Sequence, residues 1–380
     1  MSDSGKDRIG NRRLWIVSVL AVVLILGIEA SKKVQKDPKL EYKLASARRA
    51  QEAFDAIKRE RLRLGISIDR KNDPNETGLI GAEYTDLTSS LGSLSAKRTS
   101  TNPNFAGVIL EMLFKAGVKA GDPVAVSFSG SFPALNVAVL SAAYVLELEP
   151  VIISSLGASM YGANHPRLTW LDMERVLRGK GIFPYASEAA SLGGVLETKG
   201  GMDGQGIHMG LDAIRRNGVT YIREEGSGTL KDDVERRLAI FDKALSGRKP
   251  AVFINVGGNL VSLGSCPESY ALPTGFVSKV ITSDHPKRGV IFRMSERGIP
   301  VIHLLNIKSI AVRYGLPIDP IPLPPVPSGR VMKPQRYSFG IALSGLILLS
   351  IILVATTGQK PRISRSMKRM SRIFSEVLGK

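Results

Sequence analysis

The chain has 380 residues, of which 43% are hydrophobic and 23% charged, and its formal net charge is +18. Its single cysteine, Cys266, excludes an intrachain disulfide and a thiolate metal cluster. No RNA- or DNA-binding signature occurs in the sequence, so the basic charge predicts a polyanion other than nucleic acid as partner. The 38 glycines and 21 prolines, spaced between apolar runs, predict one sizeable globular domain with many short turns.

Two apolar segments near the ends of the chain predict transmembrane helices. Residues 337–357 form a run of 21 positions without a charge, which is enough to cross about 30 Å of hydrocarbon, and we expect a span over 337–358. The other segment, 14–30, is shorter and is either an uncleaved anchor or a signal peptide cleaved after Ala30. Ile28 and Glu29 do not fit the usual cleavage pattern, which favours the anchor.

Basic residues flank both apolar segments, and those at the chain ends decide the predicted orientation. Charges that lead into a long domain constrain topology weakly, so residues 1–13 and 359–380 are predicted to be cytoplasmic. The protein is then a double-pass protein of the cell membrane with an extracytoplasmic main domain. In the tail 359–380, apolar residues recur every three or four positions among Arg and Lys. This pattern favours an amphipathic helix on anionic lipid, and a solvated helix that docks on a partner is the alternative.

Two connecting segments delimit the main domain. Asp37 and Pro38 predict a helix start, so 31–65 is interpreted as a juxtamembrane stalk helix. Residues 316–336 include the run PIDPIPLPPVP, which is too proline-rich for a helix or a central strand and predicts an extended spacer. The extracytoplasmic domain is then 66–315. It is itself cationic, which outside a cell fits an acidic polymer or anionic lipid as partner.

Short apolar runs alternate with helical patterns inside this domain. The runs predicted as strands are 123–128, 150–154, 218–223, 251–255, 289–292 and 300–305. A helical pattern at 133–146 follows the first of them. Strand, tight loop and helix in repetition are typical of an α/β domain with a parallel sheet covered on both faces. In such sheets the ligand crevice lies beyond the carboxyl ends of the strands.

Three polar loops follow the predicted strands and mark a shared crevice. They are 127–133 (SFSGSFP), 154–159 (SSLGAS), with Asn164 and His165 beyond it, and 255–259 (NVGGN). Glycine lets backbone approach a ligand, while Ser and Asn donate or accept hydrogen bonds. For each loop taken alone, an ordinary turn between strand and helix is the alternative.

A basic segment supplies candidate cations for this crevice. Lys97 and Arg98, next to Thr99, lie either in a solvated loop or in a loop that folds over the crevice and offers cations to substrate carboxylates. The predicted substrate-binding residues are Lys97, Arg98, Thr99, Ser155, Asn164, His165, Asn255 and Asn259.

Three stretches of the sequence carry a family resemblance. Residues 91–105 (LGSLSAKRTSTNPNF), 121–136 (GDPVAVSFSGSFPALN) and 255–259 (NVGGN) resemble the poly-gamma-glutamate system protein family. Proteins of that family accompany the bacterial membrane synthase of poly-γ-glutamate, and the resemblance covers most of the chain, including the paired apolar segments. It implies a role in making, exporting or processing an extracellular polyanion, with synthase subunits as partners. It assigns no catalytic residues.

A serine hydrolase is the main alternative to a binding domain. The candidate residues are Ser129 or Ser131 as nucleophile, His285 or His165 as base, and Asp203 or Asp172 to orient the base. The order Ser129, Asp203, His285 matches that of α/β-hydrolases. The nucleophile elbow G-x-S-x-G is absent, however, because Phe128 precedes Ser129.

Metal and nucleotide chemistry have less support in the sequence. The histidines outside the apolar runs lack metal-ligand spacing, and the phosphate loop Gly-x-x-x-x-Gly-Lys-Ser/Thr is absent, so no metal or other cofactor is predicted. The sequence thus predicts an accessory membrane protein whose external domain binds an anionic polymer, namely poly-γ-glutamate. One alternative is a serine-type amidase or transpeptidase that acts on this polymer. Another is a structural subunit of the synthase complex without a functional crevice.

Overall fold

The computed structural model describes residues 4–31, 33–34, 37–193, 201–222, 229–281, 284–333, 335–336 and 338–357. The chain divides into two compact units, one of residues 37–333 and one built from the two ends of the chain. The predicted amphipathic tail, 359–380, lies outside the described residues.

The unit built from the chain ends contains two helices, α1 (Ser4–Ala30) and α12 (Phe339–Thr357), which pack against each other. Two short strands, β1 (Lys33–Val34) and β13 (Gln335–Arg336), pair antiparallel. α1 begins at Ser4, ten residues before the start predicted for the first span. Within the described residues, none of the helices meets the length and hydropathy that a membrane span requires.

The larger unit is a mixed α/β domain. Its strands are β2 (Thr88–Ser90), β3 (Pro123–Ser129), β4 (Glu149–Ser155), β5 (Ala158–Ser159), β6 (Asn164–His165), β7 (Leu168–Thr169), β8 (Ser187–Ser191), β9 (Thr220–Tyr221), β10 (Phe253–Val256), β11 (Gly275–Val277) and β12 (Val301–Leu304). Its α-helices are α2 (Leu40–Arg63), α3 (Leu94–Ser100), α4 (Phe105–Ala116), α5 (Pro133–Val145), α6 (Trp170–Gly179), α7 (Gly204–Arg216), α8 (Leu230–Ala244), α9 (Leu260–Leu263), α10 (Val290–Glu296) and α11 (Ile307–Tyr314).

The central sheet has the strand order β11-β12-β10-β3-β4-β8-β9. All neighbouring strands in it are parallel except the edge pair β11 and β12, so the predicted parallel α/β sheet is confirmed. The strand predicted at 289–292 is wrong, because Val290 begins helix α10. An apolar run of that length has the same composition in a buried helix turn as in a buried strand.

Helices cover both faces of this sheet. On one face, α2, α4 and α5 pack against each other and contribute side chains such as Phe54, Leu110 and Leu135 to the larger core. On the other face, α8 and α10 contribute Phe241 and Phe292 to a second core. Burial on both faces is the usual requirement of a parallel sheet. It leaves only the strand ends free to build a site.

Most of the segments expected as a stalk and a spacer, namely residues 37–65 and 316–333, lies inside the larger unit. Helix α2 buries an alanine-rich face, including Ala47, Ala50 and Ala53, because small side chains let it pack closely on α4 and α5. The proline-rich segment is extended, but it is fastened to the domain by hydrogen bonds. Asn75 Nδ2 donates to the carbonyl oxygen of Pro320 over 2.8 Å. This hydrogen bond satisfies a backbone group that an extended chain leaves unpaired.

Candidate functional site

A cavity of about 450 Å³ opens at the carboxyl ends of β3, β4 and β10. This is the edge of a parallel sheet where ligands bind. Most of the residues that line it are small or carry a hydroxyl or amide group. They are Ser89, Ser90, Leu91, Gly92, Ser93, Ala96, Lys97, Ser129, Ser131, Phe132, Ser155, Gly157, Ser159, Gly258, Asn259, Leu260 and Leu305.

The loop after β3 holds two serines in fixed positions at the cavity. The backbone N–H of Ser131 donates to Ser129 Oγ over 3.1 Å, and the N–H of Ser159 donates to Ser131 Oγ over 3.0 Å. A Cβ on Gly130 would lie 2.4 Å from the carbonyl oxygen of Leu156, so only glycine allows this close approach of the two loops. Both hydroxyls accept from backbone, and each keeps its own proton to donate.

Lys97 is the cation of the cavity. It lies in the middle of the short helix α3 and is only 2% exposed. Its Nζ donates to the carbonyl oxygen of Ser131, lies 2.7 Å from Ser159 Oγ and sits 3.8 Å from the centroid of the Phe132 ring. Among the described residues, no carboxylate pairs with it. A buried ammonium group without a counter-ion is rare in proteins and is usually functional.

Burial lowers the pKa of Lys97 to about 7, because the enclosed site disfavours the charged amine. Near neutral pH both forms are then populated. The surroundings of Lys97 suit the neutral amine as well as the charged one. The neutral amine donates to Ser131 and to the ring face of Phe132, and it can accept the Ser159 hydroxyl proton.

A fully buried arginine lies behind the cavity wall. Arg237 is 0% exposed, on helix α8, and its guanidinium donates to three serine hydroxyls at the ends of three neighbouring strands. The distances from its nitrogens are 2.9 Å to Ser127 Oγ, 2.8 Å to Ser155 Oγ and 3.1 Å to Ser191 Oγ. Of these hydroxyls, that of Ser155 lines the cavity. The arginine therefore polarises a cavity hydroxyl from behind.

Asn259 completes the arrangement around Ser155. Its Oδ1 accepts from the backbone N–H groups of Val261 and Ser262, which fixes the orientation of the side-chain amide. Its Nδ2 donates to Ser155 Oγ over 2.9 Å. The Ser155 oxygen thus accepts from both Asn259 and Arg237. Its own proton can point to Ser191 Oγ, 3.5 Å away, or to an acceptor in the cavity such as a carboxylate.

The predicted catalytic set is not brought together. Ser129 and Ser131 line the cavity, but His285 lines a different one, of about 490 Å³, beside Asp284 and Arg288. Asp203 is exposed and caps helix α7 by accepting from the N–H of Gly206. Among the described residues that line the cavity around Ser129 and Ser131, none is a histidine.

The alternative candidates for base and orienting acid are also elsewhere. Asp172 is buried in an ion pair with Arg216 and in the N-terminal capping box of α6, which together lower its pKa despite burial. His165 accepts from the N–H of Arg167, and burial lowers its pKa. Both residues stabilise local structure in the described domain.

Of the predicted binding residues, Lys97, Ser155 and Asn259 line the cavity and the others do not. Arg98 forms a bidentate ion pair with Asp319, with an Nε–Oδ1 distance of 2.6 Å. Thr99 is fully buried and accepts from the N–H of Asp319. Both side chains fasten the proline-rich segment to the domain.

Asn164 and Asn255 are buried structural amides. Asn164 exchanges two hydrogen bonds with the backbone of Ala82, and so ties the strand β6 to the loop before β2. Asn255 Nδ2 donates to the carbonyl oxygen of Gly257 and lies 3.1 Å from His303 Nδ1. Burial lowers the pKa of His303 to about 4, so this core histidine is neutral at physiological pH.

Two residues of the site were missed from the sequence. Arg237 occupies the apolar stripe of α8, four residues before Phe241 and three after Val234, and a lone arginine on such a stripe indicates a buried charge. Ser159 belongs to a loop that was recognised, but its contact with Lys97 spans 62 residues and has no local signal.

Comparisons of the chain with protein-family models, with curated proteins and with solved structures gave no match. The resemblance to the poly-gamma-glutamate system proteins therefore stays a prediction from the sequence motifs. Among the described residues, no group of three or more His, Cys, Asp or Glu side chains is arranged to hold a metal ion.

Proposed function

We propose that the cavity binds carboxylate groups of an anionic polymer, and that the protein is an accessory component of poly-γ-glutamate synthesis or export. The main support for this proposal is the burial of Lys97 at the cavity wall. Among the described residues this cation has no carboxylate partner. A substrate carboxylate would supply the missing counter-charge and raise the pKa of Lys97 again. The Ser155 proton, directed by Arg237 and Asn259, would give that carboxylate a hydrogen bond.

The polymer is proposed from the sequence resemblance together with the character of the cavity. The lining offers donors from hydroxyl, amide and ammonium groups, and none of the lining side chains that the structure describes is acidic. Such a site favours anions over cations. The small residues Gly92, Ala96 and Gly157 also line the cavity, and we expect the polymer chain to pass beside them along the strand ends.

A membrane location, with both chain ends in the cytoplasm and the larger unit outside, is part of the proposal. Large apolar side chains on α1 and α12 are exposed, such as Ile25 at 63% and Leu346 at 64%. A surface of this kind needs a membrane or a protein partner to cover it. The Ser350 hydroxyl of α12 donates to the carbonyl oxygen of Leu346 in its own helix, which satisfies it in an apolar surrounding. Synthase subunits and anionic lipid are the proposed partners.

Orientation is tested by thiol labelling of intact cells. In a chain with Cys266 changed to Ser, a cysteine added after Lys380 should resist a membrane-impermeant maleimide. A cysteine at the exposed position Leu91 should react with it. Reaction of the C-terminal cysteine from outside would contradict the double-pass orientation, and with it the extracellular substrate.

Polymer binding is tested with the purified full-length chain and fluorescent poly-γ-glutamate. Affinity should fall as salt rises, because the contacts are ionic. Lys97→Met should weaken binding by about 10-fold or more, since a charge-assisted hydrogen bond contributes about 1.5–3 kcal/mol. The matched control is Lys279→Met, because Lys279 is exposed and does not line the cavity. Equal losses in the two variants would mean diffuse attraction and no carboxylate site.

A further inference from the structure

We propose that Ser159 and Lys97 form a catalytic pair for acyl transfer, with the Ser159 hydroxyl as nucleophile and the Lys97 amine as its general base. The inference rests on the proposed function for its substrate, an anionic polyamide held in the cavity, but it adds an activity to that binding site. The Nζ of Lys97 lies 2.7 Å from Ser159 Oγ, within the range for direct proton transfer.

The base is prepared for this role by its surroundings. A lysine must be neutral to accept a proton, and enclosure of Lys97 lowers its pKa to about 7. In the reactive complex the substrate carboxylate is therefore held by the Ser155 hydroxyl, and the Lys97 amine is uncharged. The contacts to the Ser131 carbonyl oxygen and to the Phe132 ring occupy its two remaining N–H bonds and direct the nitrogen lone pair at Ser159. No described titratable side chain other than Lys97 lines this part of the cavity.

The nucleophile is reachable from the cavity. Ser159 lines it although the residue is only 7% exposed. Gly92 faces Ser159 across the opening, and a Cβ at that position would lie 3.2 Å from Ser159 Oγ. A Cβ there would also lie 2.5 Å from the carbonyl oxygen of Met160, so only glycine lets this part of the cavity wall approach the backbone beside Ser159. The hydroxyl protons of Ser129 and Ser131, whose oxygens accept from backbone, are donors in the same cavity for a developing oxyanion.

The reaction follows in two balanced steps. Ser159 Oγ bonds to the carbonyl carbon of an amide while its proton passes to Lys97 Nζ, and the carbonyl electron pair moves to oxygen. Collapse of this intermediate breaks the C–N bond, and Lys97 returns the proton to the leaving nitrogen, which gives an amine and an acyl-Ser159 ester. Water, or a second amine, then attacks the ester with Lys97 again as base. The ester C–O bond then breaks and Lys97 returns the proton to Ser159 Oγ, which completes hydrolysis or transfer of the acyl group and regenerates free Ser159.

The test is covalent labelling of the purified full-length chain with a fluorophosphonate, followed by peptide mass spectrometry. The wild type should carry one label, on the peptide that contains Ser159, and Ser159→Ala should carry none there. Lys97→Met should slow labelling by about 100-fold or more, the usual contribution of a general base. Lys97→Arg should be equally slow, because a guanidinium does not deprotonate. The matched controls are Ser278→Ala and Lys279→Met, both exposed and outside the cavity lining.

A pH profile separates a base from a merely structural lysine. The labelling rate of the wild type should rise about tenfold per pH unit below about 7 and level off above it, because only the neutral amine is active. In Lys97→Arg this inflection should be lost, because the guanidinium stays charged at every pH of the assay. The fluorescence of the buried Trp170 during urea unfolding reports whether the variant is folded.

The outcomes distinguish this inference from the binding proposal. Absence of a Ser159 label in the wild type, or labelling that Lys97→Met does not slow, would overturn the catalytic pair even where polymer binding is intact. A Ser159 label that depends on Lys97, in a protein that fails to bind poly-γ-glutamate, would support the pair and refute the proposed polymer. Labelling together with release of shortened chains from bound polymer would support both.

Discussion

Replacement of Lys97 by methionine is expected to make the protein more stable at neutral pH while removing its function. Methionine keeps the length of the side chain without the amine. The fall in the pKa of Lys97 from 10.5 to about 7 corresponds to about 5 kcal/mol of unfavourable burial of the charged form. The variant loses the hydrogen bonds to Ser131 and Ser159, at about 1 kcal/mol each. A net stabilisation of about 2–3 kcal/mol at pH 7 follows.

The stability difference between wild type and Lys97→Met should depend on pH in one direction. Between about pH 7 and 10.5 the unfolded lysine holds a proton that the folded protein has released, so the stability of the wild type rises with pH in this window. The rise is about 1.4 kcal/mol per pH unit for one proton. The advantage of the variant should therefore shrink to about zero near pH 9. Below about pH 7 the difference should be constant, because both states are then protonated.

Urea unfolding followed by tryptophan fluorescence measures this difference. Trp170 is fully buried against Phe128 and reports on the larger unit, and Trp15→Phe removes the other tryptophan from the signal. Equal slopes against urea in the two proteins would allow their free energies to be compared. A variant that is less stable than wild type at pH 7, or a difference that does not change with pH, would refute the account of Lys97 as a buried, costly cation.

Two further substitutions test the fold around the site. Glu174 accepts from the N–H and hydroxyl of Ser187, and burial raises its pKa to about 7, so the folded protein binds the extra proton between pH 4.5 and 7. Stability should fall by up to about 3 kcal/mol as pH rises through that window, and Glu174→Gln should abolish this slope in the same urea assay. Gly130→Ala should destabilise by roughly 2–3 kcal/mol through its clash with Leu156, whereas Gly179→Ala, with open space around it, should have no such effect. Equal thermal midpoints for these two alanine variants would contradict the close loop contact.

Hydrophobic pattern was sufficient to predict the middle of the sheet. The runs that became β3 and β4 are continuous, apolar and bounded by Gly, Pro or Ser, which is the signature of a strand buried on both faces. Strand β8 has the sequence SEAAS, with neither β-branched nor aromatic residues, and it is a strand only because it pairs with β4. Tertiary pairing of this kind leaves no mark in the local sequence.

The sequence predicted where the candidate site lies in the fold, but it predicted only some of the residues that line it. Strand-end loops pointed to the correct edge of the sheet, and Lys97, Ser155 and Asn259 line the cavity there. Lys97 and Arg98 are neighbours with similar chemistry, but in a helix successive side chains point about 100° apart. One therefore enters the cavity while the other pairs with Asp319. Because α3 was expected as a loop, the sequence alone could not show which of the two side chains enters the cavity.

The two buried cations of the site differ in a way that fits two tasks. Arg237 keeps its charge at any physiological pH and donates to three hydroxyls. It therefore places a constant positive charge behind the strand ends. Lys97 has no such network, and its charge depends on pH and on what occupies the cavity. A site built only to hold a carboxylate would gain from a second permanently charged group. The use of a titratable amine 2.7 Å from a serine oxygen instead favours a site that also moves a proton.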